Sequence, residues 1–385
     1  MIQPANRLNS ISEYYFSQKL KEVAQMNAEG KKVINLGIGD PDLPPLRATL
    51  NVMCEQTQRS DVHGYPPYVG IPELRKAFAD WYKHWYNVDL DPNTEIQPLI
   101  GSKEGILHIS MAFLNPGDGV LVPNPGYPTY SSVSNLLGAE LHYYDLDENN
   151  RWYPNFDALE KSDLSNIKIM WVNYPNMPTG AAASLELFEQ LVAFGKKHKI
   201  VICHDNPYSF ILNDKPLSIL NIEGAKDICI ELNSMSKSHN MPGWRIGMAA
   251  SNAQFISWIL KVKTNVDSGM FKPLQSAAAE ALRNTESLHK AMNRIYSDRR
   301  KSAEAIMNLL ECTFDEKQTG MFLWGKIPDK YASSKDLADK VLYGANVFLT
   351  PGIIFGSNGD RYIRISLCCN EAMLNEALGR IGNIE

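Results

Sequence analysis

The sequence predicts an α/β protein built on a largely parallel sheet, and three observations predict it. Short apolar runs at 167–172, 199–203 and 227–232 have the length of buried strands. Each run ends in polar residues: Asn173-Tyr174-Pro175-Asn176, His204-Asp205-Asn206-Pro207 and Ser234-Met235-Ser236-Lys237. Helical patterns separate the runs, that of 185–197 among them, which is the order of βαβ units. Ligands of open α/β sheets bind beyond the carboxyl ends of the strands, so these polar ends are where chemistry is expected.

The chain of 385 residues suggests one large domain with an appendage, or two domains each able to bury a core. Hydrophobic content of 44% and charged content of 21% are those of an ordinary soluble protein. A net charge of -5 exerts no general pull toward nucleic acid or an anionic membrane. No apolar run approaches the roughly 20 residues of a membrane span, and residues 1–7 lack the apolar core of a signal peptide. The six cysteines, at 54, 203, 229, 312, 368 and 369, show neither zinc nor redox spacing. A reduced, cytoplasmic protein is expected. The eight histidines are dispersed, so no metal site is expected either.

Taken in order, residues 1 to about 30 read as an arm and a short helix anchored by Tyr14, Tyr15, Phe16, Leu20 and Val23. A turn-rich segment, Asn35-Leu36-Gly37-Ile38-Gly39-Asp40-Pro41-Asp42, follows a short apolar strand. The Gly/Pro-punctuated loop at 63–70, with Tyr65 in it, opens a helix that carries Trp81 and Trp85. A strand at 96–100 leads into Gly101-Ser102-Lys103-Glu104-Gly105 and a helix with Ile106, Ile109 and Phe113 on one stripe. Free backbone N–H groups at such a helix start suit an anion, which makes Gly101, Ser102 and Lys103 a candidate phosphate cradle. The spacing is not that of a P-loop. A strand at 120–122 ends in Pro123-Asn124-Pro125-Gly126-Tyr127-Pro128-Thr129-Tyr130. After a loop at 264–271, one long amphipathic helix is expected from Leu274 to about Leu310. In the last segment Arg364 alternates out of an apolar strand between Ile363 and Ile365.

Lys237 organises the chemistry. It stands just past a strand end among small hydroxyl residues, with Arg245 eight positions on. Such a lysine forms an imine with a carbonyl when its surroundings lower its pKa. Ser234, Ser236 and Arg245 are donors suited to a phosphate. An aldehyde cofactor that carries a phosphate satisfies both halves, which points to pyridoxal 5'-phosphate.

The S-x-S-K run followed by Arg245 within G-W-R-I-G resembles the lysine segment of class I/II aminotransferases of fold type I. Matching segments occur in the family's order from 35 to 367, and G-S-K-E-G-I and N-P-G-Y-P-T-Y look nearest to the LL-diaminopimelate and aspartate aminotransferase branch. The resemblance implies a large cofactor-binding domain at 46–285 with a mostly parallel seven-stranded sheet between helices. A smaller α+β domain at 286–385, joined by an arm at 1–45, completes the implied fold. It further implies a homodimer with shared active sites, in which Tyr65 and the 264–271 loop approach the neighbouring subunit's site. Lys237 would hold the cofactor, and Asp205 would keep its pyridine nitrogen protonated. Tyr208 would donate to its phenolic oxygen, and Tyr127 would stack on the ring. Gly39 would lie near the substrate carboxylate, with Arg364 as its clamp.

One position departs from the pattern. Met177 stands where the family's N-P-T-G has the asparagine that bonds the phenolic oxygen, and a thioether cannot donate. Asn176 is adjacent, and Asn173 shares Met177's side if the segment stays extended. Asn173 is the favoured substitute. The implied activity is amino-group transfer between an L-amino acid and a 2-oxo acid, with glutamate and 2-oxoglutarate as one pair. The same residues serve a C–S β-lyase, and a non-catalytic regulator that keeps the cofactor is the alternative of another class.

Overall fold

The computed structural model describes residues 2–10, 15–283 and 285–384, the side chains of Ser10 and Phe16 excepted. The expected anchors Tyr14 and the Phe16 side chain lie outside the described residues. Val23 is buried as expected, whereas Leu20 is exposed.

Twelve strands occur among the described residues: β1 (Ile34–Asn35), β2 (Ile96–Leu99), β3 (Gly119–Asn124), β4 (Glu140–Asp145), β5 (Ile167–Asn173), β6 (Val201–Asp205), β7 (Cys229–Ser234), β8 (Gly247–Ala250), β9 (Phe322–Lys326), β10 (Val347–Phe348), β11 (Thr350–Pro351) and β12 (Tyr362–Ser366). The helices are α1 (Tyr15–Ala28), α2 (Arg47–Thr57), α3 (Pro72–Tyr86), α4 (Ser102–Phe113), α5 (Pro128–Leu136), α6 (Phe156–Leu159) and α7 (Leu185–His198). They continue with α8 (Met235–Ser238), α9 (Ala253–Lys263), α10 (Lys272–Ala281), α11 (Thr285–Leu309), α12 (Ser334–Ala345) and α13 (Glu371–Ile381).

The main sheet has seven strands in the order β2-β8-β7-β6-β5-β3-β4. β8 runs antiparallel to both β2 and β7, and the other pairs are parallel. Apart from β4, its strands are buried almost throughout, because helices cover both faces. One apolar cluster joins Tyr82, Phe188 and Met248, and the other joins Ile106, Ile109 and Trp171. Register puts Asn173 opposite Asp205 and Asp205 opposite Leu232, so β5, β6 and β7 end together on one edge. That edge carries the site.

A third apolar cluster gathers residues of α11, α12, α13, β9 and β12 with Val23, Ile34 and Leu36. β1 pairs in parallel with β10, and Ser366 N–H donates to Leu36 C=O at 2.7 Å. These contacts carry the 37–40 turn to the strand that bears Arg364.

The expected single helix from Leu274 to Leu310 is two helices, α10 and α11. The Trp85 indole N–H donates to Thr285 Oγ1 at 2.9 Å where α11 begins. A hydroxyl side chain held in that way favours a helix start over a helix interior.

Candidate active site

A cavity of about 580 Å³ opens beyond the carboxyl ends of β5, β6 and β7. Every expected site residue lines it except Gly101, Asn176 and Tyr65.

Lys237 reaches the cavity because β7 ends at Ser234 and the chain turns at once into α8. Ser234 Oγ accepts from Ser236 N–H at 3.2 Å and caps that single turn. The Lys237 ammonium donates to the Gly39 carbonyl. Burial lowers its pKa from the ordinary lysine value, with Cys368 and Asp40 acting against that shift and the charges of Arg364 and Arg245 acting with it. The sequence asks for surroundings that lower this pKa, and these do, which favours the nucleophilic and basic amine form.

Asp205 closes β6. Its Oδ2 accepts from the Tyr130 hydroxyl at 2.9 Å, while its buried Oδ1 has no hydrogen-bond partner among the described residues. Burial pushes this carboxyl from 3.8 up to about 6, against the Tyr130 hydrogen bond and the charge of His204. A raised carboxyl pKa stabilises the fold fully below the unfolded value, and that contribution is lost as pH rises through the folded one. In the cofactor-free protein we expect wild type to lose roughly 3 kcal/mol relative to Asp205→Asn between about pH 4 and pH 7. Urea unfolding of the two proteins across that range reads the difference.

Tyr130 was not picked out from the sequence. It stacks on Trp171 with ring centroids 5.0 Å apart, which aims its hydroxyl at Asp205. Its place in α5, three residues after Tyr127, was a weak signal. Ile38, Phe322 and Phe355 also line the cavity unforeseen, with Ser17 and Leu20 of α1.

The cradle is built on a glycine. Gly101 has φ +81°, and a Cβ there would lie 2.2 Å from Arg245 Nη2. Arg245 Nη1 donates to Ser236 Oγ at 3.2 Å and to Pro242 C=O at 2.8 Å. The start of α4, the electropositive end of that helix, stands beside this guanidinium. Together these groups form an anion site.

Arg364 enters from β12. Its guanidinium lies 3.9 Å from the Phe322 ring centre and 4.7 Å from that of Phe355. Nη2 donates to Gly37 C=O at 2.6 Å, and Nη1 lies 3.1 Å from Met177 Sδ. Gly39 passes so close to Phe322 that a Cβ would sit 2.3 Å from its ring.

The segment after Asn173 turns and does not run extended. Asn173 nevertheless lines the cavity, with Nδ2 donating to Asp205 C=O at 2.6 Å and Oδ1 accepting from Met177 N–H at 2.7 Å. Asn176 lies outside it, donating to Asn173 C=O and accepting from Thr179. Tyr65 is 91% exposed, on a loop whose Pro66 packs against Gly269 of the 264–271 loop. Glu104, His108 and Asp267 converge as metal ligands would, but the buried ammonium of Lys263 bridges Glu104 and Asp267 and supplies the positive charge there.

The sequence pattern of the family described as aminotransferase class I and II matches residues 31–381. The chain belongs to this family. LL-diaminopimelate aminotransferase of Nitratidesulfovibrio vulgaris is 42% identical, the match covering 99% of this chain and 98% of that protein. The enzyme of the same name from Aquifex aeolicus is 40% identical, with both chains covered in full. Among solved structures, apo-BacF from Bacillus subtilis has a TM-score of 0.95 at 36% identity, covering 99% of this chain and 98% of that one. This family member is therefore a transaminase dependent on pyridoxal phosphate, and it moves amino groups between amino acids and 2-oxo acids. None of its described helices is long and apolar enough to cross a membrane.

Proposed function

We propose that transamination takes place in the Lys237 cavity, with glutamate and 2-oxoglutarate as one donor–acceptor pair. The observation that carries this reading is Asp205 Oδ1, a buried acceptor without a donor among the described residues. Such an orphan is costly unless a ligand satisfies it, and a protonated pyridine nitrogen does so. The anion site at Gly101 and Arg245 fits the phosphate of the same molecule. When bound, pyridoxal phosphate supplies an aldehyde to receive the amino group and a ring to accept electrons.

The chain supplies the rest. Tyr130 orients Asp205. Ser102, Lys103, Ser234, Ser236 and Arg245 hold the phosphate, and Tyr127 offers its face to the ring. Tyr208 donates to the phenolic oxygen, aided by the second amide hydrogen of Asn173. Lys237 would hold the aldehyde, and its amine would serve as the general base and acid that moves the substrate's α-proton. Arg364 and Gly39 hold the α-carboxylate. Tyr65 and the 264–271 loop serve the second site of a homodimer, and the reduced cysteines suit a cytoplasmic protein.

An absorption spectrum tests the reading. Added pyridoxal phosphate is expected to produce a visible band that L-glutamate converts to the spectrum of the aminated cofactor. LL-diaminopimelate, from the name shared by the relatives, is the first alternative donor to titrate. A protein that forms no band contradicts the assignment of Lys237. Arg364→Lys is expected to raise KM for the amino acid by roughly 10- to 100-fold, because one point charge replaces a two-pronged grip. Initial rates across a range of donor concentration measure it, with kcat changing far less.

A further inference from the structure

A hydrogen-bonded histidine–glutamate pair lies wholly inside the protein behind the cavity. His204 precedes Asp205 on β6 and therefore points to the other face of the sheet. Register sets it opposite Glu231 of β7, and neither residue exposes any surface. His204 Nε2 is 2.8 Å from the Tyr174 carbonyl, which only accepts, so Nε2 carries a proton. His204 Nδ1 is 2.9 Å from Glu231 Oε2. Glu231 also accepts from the Tyr82 hydroxyl at 2.7 Å, the Ser218 hydroxyl at 2.9 Å and Ile219 N–H at 3.0 Å. Ser218 Oγ accepts from Leu220 N–H, which leaves its own hydrogen for the carboxylate. Three donors point at the Glu231 carboxylate, whose oxygens meet them as acceptors. Nδ1 then carries a proton as well, and the ring is an imidazolium. Phe188 of α7 covers it edge-on at 4.9 Å.

We propose that the His204–Glu231 pair is a positioning element of the transamination site, tying β5, β6 and β7 together at the edge that bears Asn173, Asp205 and Ser234 and holding a positive charge behind Asp205. The tie to β5 runs through Tyr174, the residue after Asn173, whose amide in turn bonds the Asp205 carbonyl. The charge opposes the rise that burial imposes on the Asp205 carboxyl. A buried pair of this kind contributes little net stability against apolar residues of the same shape, so its electrostatic effect is the part that matters to the site. The role in turnover rests on Asp205 as the partner of the ring nitrogen; the charge state of His204 does not.

Nitrogen NMR of the full chain loaded with pyridoxal phosphate and labelled in histidine tests the charge state. We expect one ring that carries protons on both nitrogens, Nε2 toward Tyr174 and Nδ1 toward Glu231, lost in His204→Gln. A spectrum without such a ring overturns the proposal and needs no variant. Carbon NMR of the Asp205 carboxyl in the cofactor-free full chain tests the effect on the site. His204→Gln is expected to raise its titration midpoint by about one pH unit, since the imidazolium goes and the Glu231 charge stays. His204→Gln with Glu231→Gln removes both charges and is expected to bring the midpoint back toward wild type. A folded His204→Gln protein with an unchanged midpoint means the pair is merely structural and overturns the role. Failure of the Asp205 assignment would appear elsewhere, as normal turnover in Asp205→Asn with these nitrogen signals intact.

Discussion

Lys237→Ala is expected to lower kcat by roughly 10³-fold or more, while the protein remains folded. Positioned proton transfer contributes about 10²- to 10⁴-fold on its own, and the same side chain provides the point of attachment for the cofactor. Among the described residues that line the cavity the other amine is that of Lys103, which belongs to the start of α4 and to the candidate phosphate ligands. The variant should not unfold, since Lys237 is half-buried and burial already disfavours its charge. Alanine also suits the single turn of α8, because Ser234 supplies its cap. Stopped-flow absorbance with L-glutamate, beside a thermal melt of each protein, separates lost chemistry from lost structure. Near-normal turnover in this variant would sink the assignment.

Asp205→Asn is the second large effect, a fall in kcat of roughly 10²- to 10³-fold with KM for the donor little changed. The side chains have almost the same shape, and the amide oxygen still accepts from Tyr130. What changes is the atom at the Oδ1 position, now free to present an N–H where a ring N–H has to be received. Two facing donors leave the ring nitrogen without its proton, so the electron demand of the reaction goes unmet. The donor carboxylate is held elsewhere, by Arg364, which is why KM should stay near the wild-type value. Steady-state rates over a range of donor concentration read the split, and a proportional rise in KM would point to a binding role.

The parts of the site legible in the sequence are those whose signal is local. An apolar run that ends in Ser234-Met235-Ser236-Lys237, or in His204-Asp205, announces a buried strand and its exit in consecutive residues. Gly101 is legible for the same reason, since a strand, a small-residue turn and a helix start follow one another. Arg364 stood out by alternation and by the resemblance, whereas its sandwich between Phe322 and Phe355 was invisible. Asn173 was placed at the cavity, but on an extended segment, where the chain in fact turns. The division of 274–310 into two helices escaped notice because Trp85, which meets Thr285, lies some 200 positions away in the chain.

By itself the sequence determined the class of fold, the strand ends on which chemistry sits and the residue types that demand an aldehyde cofactor with a phosphate. Hydrophobic period, turn residues and side-chain chemistry act over a few positions, so they survive reading in one dimension. Only the tertiary structure decided which atoms meet: Tyr130 on Asp205, Arg245 beside Gly101, Gly39 against Phe322, and His204 facing Glu231. Those contacts depend on strand register and on the packing of distant segments. A shift of one residue in β6 against β7 would turn every side chain to the opposite face, and nothing in the local pattern of either strand specifies its partner.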